Sequence, residues 1–139
     1  MFSPANKALR AYADAGAAGA MGQSPHGLVA MLFEGAMIAV SAARTHLQFG
    51  RVQQKCESIA KAIAIIDDGL KASLDRSSGG ELALRLSDLY DYMALRLAEA
   101  NAGNRAEPLD EVGRLLSELA QAWRAIATTP QAADSERVG

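Results

Sequence analysis

Apolar positions in this chain recur every three or four residues along four long stretches, the period of helices that each keep one face on a core. The clearest stretch runs from Leu82 to Asn101, LALRLSDLYDYMALRLAEAN, where Leu82, Leu86, Leu89, Met93, Leu97 and Ala100 form one stripe. Tyr90, followed by Asp91 and Tyr92, falls at the shoulder of that stripe. A ring with a polar tip suits a half-buried rim there.

The other three stretches carry their own boundaries. Ser24-Pro25 predicts a helix start, with the serine capping free amides and the proline placed where no amide partner is missed. That helix reaches about Gln48, and Gly50 supplies a left-handed stop. Its apolar arc is wide: one seam holds Val29, Phe33, Ala36, Val40, Ala43 and Leu47, another Leu28, Leu32, Gly35 and Ala39, with Met31 and Ile38 at the edge. Such an arc implies either a central helix with several neighbours or a helix with a groove open to a partner.

From Val52 to Leu74, the residues Val52, Cys56, Ile59, Ile63, Ile66 and Leu70 predict a core seam. A sparser row of Ala62, Ile65, Gly69 and Ala72 is assigned to the opposite face. On that assignment a charge at Ile65 spares the fold and a charge at Ile63 breaks it. Asp75 to Gly80 reads as a turn, and Gly103-Asn104 closes the third helix. Glu107-Pro108 starts the last, with Leu109, Val112, Leu116, Leu119, Trp123 and Ile126 as its seam; Trp123 is either a core anchor or a partner contact.

The predicted fold is all-α, an antiparallel up-down four-helix bundle over residues 23–127. Residues 1–22 are expected to form a short, loosely docked N-terminal helical segment, because Gly16, Gly19 and Gly22 disfavour a continuous helix. Leu9 and Tyr12 are its large apolar pair at helical spacing. From residue 128 to 139 no apolar period remains, and a disordered tail is expected.

Composition narrows the function classes. With 139 residues and half of them apolar, the chain can bury one core. A net charge of −2 leaves no basic field for phosphates, so nucleic-acid binding is not expected. No uninterrupted apolar run of spanning length and no secretory leader are read in the sequence, which predicts a cytoplasmic protein without membrane insertion. Cys56 stands alone, and its ordinary reading is a small buried hydrophobe.

Neither a metal site nor an active site is expected. No histidine follows a glutamate by three residues, as the carboxylate-bridged metals of helix bundles require. His26 and His46 lie near helix ends, where a surface or dipole-stabilising role is the ordinary reading. Asp67 and Asp68 are adjacent, so on a helix they point about 100° apart and cannot share one ion. Neither enzymatic activity nor a cofactor is expected.

The motifs together are more specific. Ser24-Pro25-His26, then Met31-Leu32-Phe33-Glu34-Gly35-Ala36, Lys61-Ala62 through Ile65-Ile66 to Leu70, Leu74-Asp75, Gly79-Gly80-Glu81, Leu89-Tyr90-Asp91-Tyr92-Met93, Arg96-Leu97, Ala100-Asn101, Leu115-Leu116 and Ala122-Trp123 stand in the order and spacing of one family. In these, from about Leu9 to Ile126, the chain resembles the cytoplasmic flagellin-export chaperones, the FliS family. The resemblance implies a helical bundle whose client is the C-terminal segment of flagellin, unfolded alone and helical when bound. It further implies protection from premature polymerisation and delivery to the flagellar export gate.

On the same resemblance, Leu9 and Tyr12 match a segment that lies over part of the client groove. Ala62, Ile65 and Ala72, with Leu28, Leu32, Tyr90 and Leu97 nearer the shoulder, are the expected flagellin-binding walls. Leu84 and Leu95, on the far face of the third helix with Asp88 and Asp91, match no family role. The competing expectation is an adaptor bundle for another secreted or structural protein.

Overall fold

Ser24 caps the first helix as its sequence predicts: the Gly27 amide donates to Ser24 Oγ at 3.1 Å, and Pro25 takes the first helical position. The computed structural model describes residues 24–74 and 76–127. The expected cap with Leu9 and Tyr12, the tail from Thr128, and Asp75 lie outside the described residues.

Four helices follow in order among the described residues: α1 (Pro25–Gln48), α2 (Val52–Ala64, continued by a π-helical turn Ile65–Lys71), α3 (Arg76–Gly103) and α4 (Ala106–Ala127). Their connections depend on left-handed residues where the sequence places Gly50 and Asn104, at φ 71° and 49°. The predicted turn before α3 is shorter than expected. Arg76 to Gly79 already form a helical turn, and the break falls at Gly80 alone, with φ 57° and ψ −133°.

α1 packs against α2 and α4, and α3 against the same two. Cross-links fix the directions. His26 at the start of α1 meets Trp123 near the end of α4, and Arg44 near the end of α1 bonds Asp110 near the start of α4 at 3.0 Å. Lys55, early in α2, bonds the end of α3. The arrangement is the antiparallel up-down bundle the periodicity predicts.

Leu32, Phe33, Ala36, Val40, Ile59, Ile66, Leu70, Met93, Leu97, Leu109, Val112 and Leu116 are buried in one core. Among the described residues α1 alone is long and apolar enough to meet the requirements of a membrane span, but Leu32, Phe33, Ala36, Val40 and Ala43 are buried within the bundle.

The buried face of α2 corrects the sequence assignment. It runs through Lys55, Ile59, Ala62, Ile65, Ile66, Gly69 and Leu70, and Ile65 and Ala62 are fully buried. Of the expected seam, Val52 is exposed, while Cys56 and Ile63 are only partly buried. The reason is that α2 lies between α1 and α3, so it must bury an arc wider than one seam. Small residues at 62 and 69 thereby sit inside the bundle, where neighbouring helices approach closely.

Candidate apolar cleft

Where α1, α3 and α4 diverge, their seams run past the core and leave a cleft of about 440 Å³. α1 supplies Val29 and Phe33, α3 supplies Leu82, Ala83, Leu86 and Tyr90, and α4 supplies Leu119, Trp123 and Ile126. Leu74, at the end of the α2–α3 connection, joins them. Among the described residues no charged side chain lines this cleft. Three other grooves carry Glu34 and Arg124, Arg44 and Asp110, or Arg51 and Lys55. An apolar partner surface is therefore best matched here.

A reciprocal clasp holds one wall. Trp123 Nε1–H donates to the His26 carbonyl at 2.9 Å, and His26 Nε2–H donates to the Trp123 carbonyl at 2.9 Å. The two rings stack at 4.2 Å with 10° between their planes. Helix-end chemistry suggested no such pairing for His26. Trp123, expected as either a core anchor or a partner contact, packs on the core and also lines the cleft.

The other end is shaped by glycine. A Cβ on Gly79 would stand 2.6 Å from Ala83 Cβ, and Gly80 occupies a backbone conformation that L side chains rarely adopt. The Gly-Gly pair thus bends the chain into α3 at the point where Leu82 emerges, 66% exposed, at the rim.

Burial separates the expected binding residues. Leu32, Ala62, Ile65 and Leu97 are buried in the core, because each faces a helix of the bundle rather than a free surface. Tyr90 is buried to 3% exposure, well beyond a half-buried rim, yet it lines the cleft. Leu28 is partly buried and Ala72 exposed, and neither lines it. Val29, Phe33, Leu86, Leu119 and Ile126 were absent from the expected set. The signal for them was the overrun of the seams at Leu82 and Ile126, both exposed although periodicity places them on core stripes.

Away from the cleft, Arg96 joins α3 to α4. Its guanidinium donates to Glu111 at 2.7 Å, Glu99 at 2.9 Å and Glu107 at 3.4 Å, while Tyr92 Oη donates to Glu111 at 2.7 Å. The bonds from Arg96 and Tyr92 hold the Glu111 carboxyl below the usual carboxylate range. Lys55, 2% exposed, donates to the Asn101 carbonyl at 3.0 Å and to the Asn104 side chain. A cation thus closes the carboxyl end of α3.

The family model described as "Flagellar protein FliS" matches residues 6–130. The chain is 50% identical over 120 residues to the flagellar secretion chaperone FliS of Salmonella typhimurium, covering 86% of this chain and 89% of that protein. With the protein of the same description from Escherichia coli it shares 40% identity over 127 residues, 91% and 93% of the two chains. With that of Bacillus subtilis it shares 32% over 114 residues, 82% and 79%.

Proposed function

The chain belongs to the FliS family of flagellar secretion chaperones, and from that premise we propose that its cleft between α1, α3 and α4 holds the C-terminal segment of flagellin. The observation that carries the reading is a cleft with no charged lining among the described residues, rimmed by the exposed Leu82 and Ile126. A segment disordered alone can dock there as a helix, its apolar face replacing water against the cleft. Ordering costs free energy as it binds, which keeps affinity within reach of later release. Held in this way, the segment is withheld from polymerisation until the complex reaches the flagellar export gate.

On this reading the protein acts in the cytoplasm, by binding alone and without a cofactor. Leu28 and Ala72 are secondary contacts outside the cleft, and Leu32, Ala62, Ile65 and Leu97 support the walls from beneath. Leu9 and Tyr12 belong to a displaceable cap over the groove.

The test compares capture of complete flagellin with capture of flagellin lacking its C-terminal segment. Only the complete protein is expected to bind. Leu82→Glu should weaken capture about tenfold or more, with melting within about 2 °C of the parent, since an exposed rim residue contributes little to folding. Binding that survives the truncation would instead mark an adaptor for another surface.

A further inference from the structure

Among the described residues, the polar side chains lining the cleft are spent, with one exception. Ser73 Oγ donates to the Leu70 carbonyl at 2.8 Å, and the Trp123 indole N–H is used on His26. Tyr90 remains: it is 3% exposed, and among the described residues its hydroxyl has no hydrogen-bond partner. Buried polar groups are nearly always paired, because losing water without a replacement costs free energy. Among the described residues the wholly enclosed unpaired atoms are His46 Nδ1 and Asn101 Oδ1; the Tyr90 oxygen is not one of them, and the Tyr90 side chain lines the cleft.

We propose that the Tyr90 hydroxyl determines specificity in the cleft, as a donor held ready for an oxygen acceptor on the client helix: a side-chain amide, hydroxyl or carboxylate among its apolar anchors. The inference rests on the client reading given above. Burial pushes the phenol up to about 12, so it stays neutral and able to donate across the physiological range. A wholly apolar helix leaves this hydroxyl unpaired, whereas a helix with an acceptor at the matching position satisfies it. Discrimination of this kind is stronger than apolar contact provides, since the wrong partner leaves a buried polar group without a bond.

Tyr90→Phe in the full chain separates binding from folding. The variant is expected to melt at the same temperature as the parent or higher, because it removes an unpaired buried group. It should bind the C-terminal flagellin segment about tenfold more weakly by calorimetry. A scan replacing each polar side chain of the segment by an apolar one of similar size should find one position that weakens the parent about tenfold and leaves Tyr90→Phe indifferent. A variant that melts lower with unchanged affinity, or a segment with no coupled position, overturns the proposal while leaving the client reading standing. A parent protein that does not bind the segment overturns that reading, and this proposal with it.

Discussion

Ile65 shows how far one side chain's direction decides between a core and a surface. Periodicity places it opposite the Ile59 and Ile66 line, where a charge is harmless to the fold; in the structure Ile65 and Ile66 are both fully buried. The spacing of apolar residues was legible, but the width of the buried arc was not, because it depends on how many helices surround α2. Ile65→Asp should therefore destabilise by more than the about 2–5 kcal/mol of an isoleucine truncation, as it buries an unpaired carboxyl. Urea unfolding checks this, and an unchanged midpoint would contradict the burial. Tyr90 teaches the same lesson from the rim side: its shoulder position was readable, its depth and its unsatisfied hydroxyl were not. His26 and Trp123 lie 97 residues apart, and no local pattern joins them.

For whole helices, the ends were more legible than the faces. Ser24-Pro25, Gly50 and Gly103-Asn104 mark boundaries because capping and left-handed backbone restrict residue choice locally. Lys55 escaped notice, since a lysine between apolar seams reads as solvent-facing until the carbonyl end of α3 is brought to it. Helix-to-helix bonds also give the bundle a pH dependence. Glu111 on α4 carries a lowered pKa from Arg96 and Tyr92 on α3, with Glu99, Glu107 and Arg114 nearby. Ionised Glu111 thus stabilises the fold above its unfolded-state pKa, and the contribution is lost as pH falls through the lower folded-state value. Melting temperature should drop between about pH 5 and pH 3, and Glu111→Gln should flatten part of that drop. Equal slopes for parent and variant would mean the bond contributes nothing to α3–α4 packing.

At the scale of the molecule, four apolar periods separated by short turns were enough to predict an antiparallel bundle, and that architecture is observed among the described residues. The cleft was not readable in the same way. It exists because the Leu82 end of α3 and the Ile126 end of α4 extend beyond the core they share, a property of relative placement rather than of either stripe. The family resemblance implies a flagellin client, and of the contacts expected for it Leu32, Ala62, Ile65 and Leu97 are buried in the bundle's own core while Tyr90 lines the cleft.

Capture of a disordered flagellin segment through its folding in the apolar cleft can be read by calorimetric titration of the full chain with the C-terminal flagellin segment at several temperatures, followed by circular dichroism of the mixture. The expected outcome is one-to-one binding, a negative heat-capacity change, and more helix in the mixture than in the two components apart. Absence of binding heat at every temperature, together with no gain of helix, would contradict it.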